Sequence, residues 1–204
     1  VLRSPHAHAL IKCINIDKVS KHPNCKSVVT SKDLAKSPEI TKEPMYGQVR
    51  ISNVLASDKV LYKGHPILAV AAKSVDDAEE LLDLVDIEYE ILNSVTNVED
   101  AIKDGADVLH ENWKKSDDIL DRNNKGTNIG TIEVYKLGNA DDELKKSELI
   151  IEREFRTKTV HQGYIEPTNG TAWWRPNGRL TIWCSSQGHF GIRDSVAQVL
   201  GISA

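Results

Sequence analysis

Apolar and polar residues alternate in several short stretches of the chain, which is the pattern of half-buried β-strands. Such stretches occur at residues 9–16 and 87–91, and residues 26–30 are predicted to form a further short strand. A continuous apolar run at residues 67–72 predicts a central strand that is buried on both faces. We therefore expect a small mixed sheet in the first half of the chain.

One full helix is predicted in the same half. Ser74 is followed three residues later by Asp77, which is the spacing of a helix-capping box. Ser31 is predicted to cap a single helical turn at residues 31–34, and residues 37–51 are predicted to form a loop. Residues 1–95 are thus predicted to be one α/β module. The apolar face of its helix is expected to consist of Val75, Ala78, Leu82 and Val85.

The middle of the chain has a different composition. Residues 93–128 are polar and rich in Asn, Asp and Lys, as is typical of a linker that lies over a surface. We place this linker at residues 96–127 and expect a second module, of the α+β class, at residues 128–204. Acidic residues early and lysines late in residues 140–146 predict a short helix, because that order complements the helix dipole.

The last quarter of the chain is predicted to contain a strand, a hairpin, a polar elbow and a helix. The apolar positions of residues 149–155 alternate, which indicates a strand. Asn177 and Gly178 stand between two runs of apolar and aromatic residues, a strong signal for a β-hairpin. A helix with one apolar face is predicted to begin near His189 and to end at Gly201.

The elbow at residues 184–188 is the strongest candidate for a functional site. Its sequence is Cys-Ser-Ser-Gln-Gly, so an apolar strand runs into small and amide side chains directly before a helix. This order places a neutral amide and several backbone N–H groups at the edge of the sheet where the strand ends. Such groups suit a ligand that carries lone pairs.

Composition and charge limit the classes of function. The chain has 204 residues and a net charge of -4, which gives no reason to expect nucleic acid or a membrane surface as a partner. No apolar run approaches the length of a membrane span. Three cysteines without a C-x-x-C pair argue against disulfides, a zinc site and an iron–sulfur cluster, and favour the cytoplasm. The chain begins without Met, and we expect a piece of a longer protein or one part of a split protein.

Four further features have both a functional and a structural interpretation. His6 and His8 are spaced so that they share one side of a strand, but no third ligand follows, so we expect packing and no metal site. His161 and Glu166 form a conceivable acid–base pair, but no nucleophile elbow accompanies them, and the Glu-Pro segment is better explained as a turn. Cys184 is expected to be a small buried side chain, although its place in the elbow leaves reactivity open.

Several segments resemble a known family, in the order in which that family has them. The chain carries Arg-Ser-Pro-His-Ala-His-Ala at residues 3–9, Lys-Gly-His-Pro at 63–66 and Ile-Glu-Tyr-Glu at 87–90. These resemble the hammerhead domain of the molybdenum hydroxylases, which include xanthine dehydrogenase, aldehyde oxidase and the large subunit of aerobic carbon monoxide dehydrogenase. His-Gln-Gly-Tyr-Ile-Glu-Pro at 161–167 and the stretch ending in Ser-Ser-Gln-Gly at 178–188 resemble the start of the molybdopterin-binding domain.

The resemblance implies a cofactor and two residues that contact it. In this family the Gln of the Ser-Gln-Gly segment lies beside the molybdenum, and Gln187 matches that position. Gly188 then allows the flat molybdopterin to approach the backbone. The family's later glycine-rich segment and its catalytic Glu have no counterpart in this chain, so no residue is assigned a catalytic role and no side chain a metal-ligand role.

The function implied by the resemblance is that of a fragment or split subunit of a molybdopterin-dependent oxidoreductase that hydroxylates with water as the oxygen source. Its expected partners are the remaining molybdopterin-binding polypeptide and iron–sulfur and flavin subunits, or a second copy of itself. We expect the chain alone to retain no cofactor. The competing interpretation is a non-catalytic assembly subunit or a remnant of such an enzyme. Trp173, Trp174 and Trp183 are expected to pack in the core and at an interface. In an incomplete domain these side chains would stay exposed.

Overall fold

The computed structural model describes residues 1–34, 54–110, 128–129 and 134–204. The chain divides into two compact units, one of Val1–Ile132 together with Phe190–Ala204 and the other of Glu133–His189. The final helix is thus grouped with the first unit, whereas the sequence pattern assigned it to the second module. The module boundaries given above, at residues 95 and 128, stay a prediction. The predicted loop at residues 37–51 lies outside the described residues.

Six strands in the described part of the first unit form two three-stranded sheets. They are β1 (Leu2–Arg3), β2 (Ala9–Asn15), β3 (Cys25–Thr30), β4 (Lys59–Val60), β5 (Pro66–Ala72) and β6 (Asp86–Ile91). In one sheet β5 lies between β1 and β3, and in the other β2 lies between β4 and β6. Every one of these strand pairs is antiparallel.

The prediction of a single mixed sheet is therefore wrong. Alternation along a strand identifies its buried face but not its neighbour, because pairing is decided by contacts that are distant in sequence. The connection from β5 to β6 contains a helix, and such a connection joins parallel neighbours when both strands belong to one sheet. Here β6 pairs with β2 of the other sheet, so no parallel pair arises.

Helices and a 3-10 turn also occur in the described residues of this unit. They include α1 (Asp17–Ser20), α2 (Val75–Asp83) and α3 (Val98–Ala101). The 3-10 turn Ser31–Asp33 is capped by Thr30 and not by Ser31, since the Thr30 side chain accepts a hydrogen bond from the backbone of Lys32. The cap of α2 is confirmed, because the Asp77 N–H donates to Ser74 Oγ over 3.1 Å.

The core of the first unit lies around β5 and α2. The central position predicted for residues 67–72 is confirmed, and Ile67 and Leu68 are fully buried. On α2 the buried residue is Leu81, while Val75, expected on the apolar face, is 73% exposed. Val75 is the first residue of α2, and the buried stripe of the helix begins one turn later. The buried apolar residues of the core include Ala9, Val19, Leu55, Ala56, Val60, Ile67, Leu68 and Leu81.

The second unit contains one helix and one hairpin in its described residues. These elements are α4 (Ala140–Lys146), β7 (Gly170–Trp174) and β8 (Leu180–Cys184). Both the short helix and the hairpin were predicted, and both are confirmed. The strand predicted at residues 149–155 is wrong for this structure, because residues 148–169 contain no helix or strand. A strand requires a hydrogen-bonded neighbour, and none is formed there.

The last helix, α5 (His189–Leu200), begins and ends as predicted. Gly201 adopts a φ of 66°, which favours glycine. Its N–H donates to the Gln198 carbonyl, and the N–H of Ile202 donates to the Ala197 carbonyl over 3.0 Å. These two bonds form a Schellman motif, which satisfies the last carbonyl groups of the helix.

Candidate functional site

The elbow follows β8 directly. Strand β8 ends at Cys184, and α5 begins at His189, so residues 185–188 connect a sheet edge to a helix as the sequence predicts. All five residues from Cys184 to Gly188 are exposed. No acidic side chain occurs between residues 180 and 192, so this stretch does not repel an anionic group. The elbow is therefore accessible and carries no negative charge.

One hydrogen bond shapes the elbow itself. The Gly188 N–H donates to Ser186 Oγ over 2.9 Å, which closes a tight turn around Gln187. Within the part of the chain that the structure describes, the side-chain amide of Gln187 makes no hydrogen bond. Its two donors and its carbonyl acceptor are therefore available to a ligand.

Gly188 is not required by the conformation of the chain. It is absent from the glycines with positive φ, so its backbone is one that other residues adopt. A Cβ placed on Gly188 would meet no atom within 4 Å. Nothing in the described chain thus explains a glycine at this position.

The hairpin before the elbow is held by its turn. Asn177 Oδ1 accepts from the Arg179 N–H over 3.1 Å, and Gly178 has a φ of 84°. The turn sets the register in which Gly170 faces Cys184 across the strands.

Cys184 is exposed and free, so the expectation of a buried cysteine is wrong. Trp173, Trp174 and Trp183 are about half exposed, so they do not form a core, and their exposure agrees with the alternative expected for an incomplete domain.

The other candidate pairs do not assemble into sites. His161 Nδ1 accepts from the Gly163 N–H over 3.0 Å, and no hydrogen bond joins His161 to Glu166. His6 packs edge-on against Tyr89, with ring centroids 4.8 Å apart, which agrees with packing. His8 is buried and places its Nδ1 2.6 Å from the Asn93 carbonyl oxygen. Among the described residues, no group of three or more His, Cys, Asp or Glu side chains is placed to hold a metal ion.

Sequence reasoning missed Asn128, a residue with a structural role. Its Nδ2 donates to the carbonyl oxygens of Ala101 and Asp107, at 3.1 and 3.0 Å. Its Oδ1 accepts from the Leu109 N–H over 3.0 Å. One amide thus satisfies three backbone groups of residues 101–109. No signal in the sequence distinguishes it from the other asparagines in this polar stretch.

Within the described ranges, no helix combines the length and the apolar character that a membrane span requires.

Family models match both parts of the chain. Residues 1–93 match the model for the aldehyde oxidase and xanthine dehydrogenase a/b hammerhead domain. Residues 121–204 match the model for the molybdopterin cofactor-binding domain, and this match includes the elbow. The two matches occur in the order that the sequence motifs indicated.

Curated relatives match almost the whole chain. It is 28% identical to a probable xanthine dehydrogenase component of Bacillus subtilis, over 99% of this chain and 25% of that protein. It is also 28% identical to the carbon monoxide dehydrogenase large chain of Afipia carboxidovorans, over 98% of this chain and 25% of that protein. The chain thus spans about a quarter of the length of these relatives.

Solved structures show the same fold. Quinoline 2-oxidoreductase from Pseudomonas putida aligns with a TM-score of 0.72 and 25% identity, over 98% of this chain and 24% of that chain. Reconstituted carbon monoxide dehydrogenase from Oligotropha carboxidovorans aligns with a TM-score of 0.73 and 24% identity, over 98% of this chain and 25% of that chain. The protein therefore belongs to the molybdenum hydroxylase family, in which it represents the hammerhead domain and the first part of the molybdopterin-binding domain.

Proposed function

We propose that this chain is one part of a molybdopterin-dependent oxidoreductase that hydroxylates its substrate with oxygen from water. The observation that carries this proposal is the exposed Gln187 amide, which has no partner in the described chain. It lies in the connection between β8 and α5, inside the segment that matches a molybdopterin cofactor-binding domain. An amide held there by the Ser186–Gly188 turn is suited to donate to an oxygen atom of the bound cofactor.

The cofactor would supply the redox chemistry, and the protein residues would orient it. Gln187 donates a hydrogen bond without adding charge, so it positions the cofactor while leaving its charge unchanged. Gly188 leaves the adjacent backbone open to a flat ring system. No residue of the chain is proposed as the catalytic base.

The proposed enzyme is completed by further polypeptide. No side chain among residues 134–189 is buried, and only Arg175, Leu180 and Thr181 are of intermediate exposure. A unit without a hydrophobic core does not offset the conformational entropy that folding costs. We therefore propose that the isolated chain retains no molybdopterin and that the remaining molybdopterin-binding polypeptide is needed.

Electrons would leave through partner subunits. Relatives are described as a large chain or as one subunit of a dehydrogenase, which supports an assembly of several polypeptides. We propose iron–sulfur and flavin subunits as the electron acceptors. All three cysteines of this chain are free, which agrees with a reducing compartment, and we propose the cytoplasm.

A non-catalytic assembly subunit is the second candidate. The exposed apolar side chains of the second unit favour it, because they provide a surface for a partner whether or not a cofactor is bound. The molybdenum and pterin content of the complex distinguishes the two functions. An assembly subunit binds no cofactor, so its role does not depend on Gln187.

The test is molybdenum and pterin analysis of the purified chain, alone and after co-expression with the rest of the molybdopterin-binding domain from the same organism. Gln187→Ala is compared with Gln198→Ala, which changes a glutamine outside the elbow. We expect molybdenum and pterin only in the complex, with a loss in Gln187→Ala and none in Gln198→Ala. Stoichiometric molybdenum in the isolated chain would contradict the proposed incompleteness, and its absence from both preparations would favour the assembly subunit.

A further inference from the structure

The hydroxyl of Ser186 holds the elbow in shape. Strand β8 makes its last ladder pair at Cys184 and α5 begins at His189, so only residues 185–188 connect the two elements. Ser186 Oγ accepts a hydrogen bond from the Gly188 N–H over 2.9 Å, and this bond encloses Gln187. Within the described residues, no other side chain of this connection makes a hydrogen bond. The conformation of the elbow therefore depends on one hydroxyl.

Gly188 makes that hydroxyl necessary. Glycine has the widest range of backbone conformations of all residues, and a Cβ built on Gly188 would meet no atom within 4 Å, so packing does not hold this residue. The direction of the Gln187 side chain depends on the backbone on both sides of it. A serine hydroxyl that bonds the backbone two residues further on restricts such a turn. Ser186 thus limits the conformations of the segment that carries the amide.

The same bond decides which hydrogen-bond donor the elbow offers to a ligand. The Gly188 N–H is occupied by Ser186, so this backbone donor is not available to a bound group. The exposed amide of Gln187 makes no hydrogen bond in the described chain and keeps both of its donors. Ser185, the neighbouring serine, makes no side-chain hydrogen bond in the described residues. The role therefore belongs to Ser186, a choice that the Ser-Ser sequence leaves open.

We propose that Ser186 is a positioning residue for the molybdopterin. Its hydroxyl fixes the segment that carries the Gln187 amide, and it withdraws the Gly188 N–H from the donors of the site. Gly188 then contributes open space and no hydrogen bond. This inference rests on the proposed function, because the amide is positioned for the cofactor that the completed enzyme binds.

The test uses the complex of the 204-residue chain with the rest of the molybdopterin-binding domain from the same organism. Molybdenum and pterin are quantified, and the rate of pterin loss is followed after dilution. Ser186→Ala removes the hydroxyl and Ser186→Thr keeps it. Ser147→Ala is the matched control, because it removes a serine hydroxyl that bonds the Glu143 carbonyl, also over 2.9 Å, outside the elbow.

Ser186→Ala is expected to raise the rate of pterin loss about threefold to tenfold, which corresponds to one hydrogen bond, while the other two variants stay within about twofold of the wild type. The exchange rate of the Gly188 amide is expected to rise in Ser186→Ala alone. In a Gln187→Ala background, Ser186→Ala is expected to add nothing to the rate of pterin loss, because the hydroxyl acts through the amide.

Four results overturn the inference and leave the proposed function standing. They are equal rates of pterin loss in Ser186→Ala and Ser147→Ala, a threonine variant that loses pterin as fast as the alanine variant, an unchanged exchange rate of the Gly188 amide, and a full additional effect in the Gln187→Ala background. A wild-type complex without molybdenum and pterin overturns the proposed function itself, and this inference with it.

Discussion

Trp173 and Trp183 lie on the same face of the β7–β8 hairpin, diagonally across its two strands, and the exposed fractions of their side chains are 50% and 53%. Each stands opposite a threonine, Thr181 and Thr171 respectively. Paired threonines and indoles give a hairpin favourable cross-strand contacts, and the Arg175 guanidinium lies 4.3 Å from the centroid of the Trp173 ring. Both rings nevertheless stay about half exposed in the described chain. The two indoles therefore present an apolar surface that the rest of the hairpin leaves open.

Replacing these indoles has little effect on the stability of the isolated chain. The double variant Trp173→Ser with Trp183→Ser is expected to change the free energy of unfolding by about 0.5 kcal/mol or less, because neither ring belongs to the core. Leu81→Ala, which empties a fully buried site in α2, is expected to lower it by about 2–5 kcal/mol. Urea unfolding of the three proteins checks this, and a large loss in the tryptophan variant would show that the rings are packed.

Gly201 and Gly188 are expected to differ in how substitution by alanine affects stability. Gly201→Ala places a side chain at a φ of 66° and is expected to destabilise the end of α5 by about 1–2 kcal/mol. Gly188→Ala is expected to leave stability unchanged, because its φ is ordinary and the space beside it is open. In the completed enzyme Gly188→Ala is expected to lower the molybdenum and pterin content. Thermal unfolding and cofactor analysis measure these effects, and an unchanged cofactor content would remove Gly188 from the site.

The carboxylate of Asp77 is expected to make the stability of the folded chain depend on pH. The Ser74 hydroxyl donates to its carboxylate over 2.7 Å and lowers the pKa of Asp77, and Asn24 contributes a second bond of 2.6 Å. A lowered pKa in the folded state stabilises the protein above the usual aspartate pKa of about 3.9. That stabilisation is lost as the pH falls below about 4 and through the folded-state value.

Asp77→Asn is the variant that tests this. At pH 7 it is expected to be less stable than the wild type, and the difference is expected to shrink as the pH falls from about 4 to 3. Asp76→Asn removes the same charge from the same helical turn without removing these bonds, and is the control. Urea unfolding over this pH range gives the comparison, and a difference that does not vary with pH would exclude the assigned role.

Asn128 is expected to hold residues 101–109 in place. Asn128→Asp replaces the donor that serves the Ala101 and Asp107 carbonyl oxygens with a carboxylate oxygen, so acceptors face each other. We expect faster proteolysis between residues 97 and 110, while the protection of β5 is unchanged. Asn169→Asp is the control, since its amide makes a single local bond to Pro167. Equal proteolysis of the two variants would contradict this role.

The local pattern of residues predicted most of the helices, strands and turns in the described chain. The Ser74 cap, the Asn177–Gly178 turn and the Gly201 end of α5 depend on residues that are close in sequence, and each was predicted and is observed. Strand positions were predicted for the same reason, since alternation is a local property.

Pairing and burial were not predictable in the same way. The two separate sheets depend on contacts between residues such as Ala9 and Ile91, which are distant in sequence. The strand expected at Leu149–Phe155 depends on a neighbour that the described chain does not provide. Asn128 acts through backbone groups up to 27 residues away, and no periodicity marks such a residue. The site residue Gln187 came from the elbow pattern and the family resemblance, and its role stays a proposal.

The second unit has no core of its own in residues 134–189, and we propose that further polypeptide completes it. Amide hydrogen exchange of the isolated 204-residue chain tests this claim most directly. We predict strong protection in β2, β5 and β6, and nearly free exchange throughout residues 134–189, because no side chain there is buried. Protection in β7 and β8 equal to that in β5, in a chain shown to be monomeric, would contradict the account.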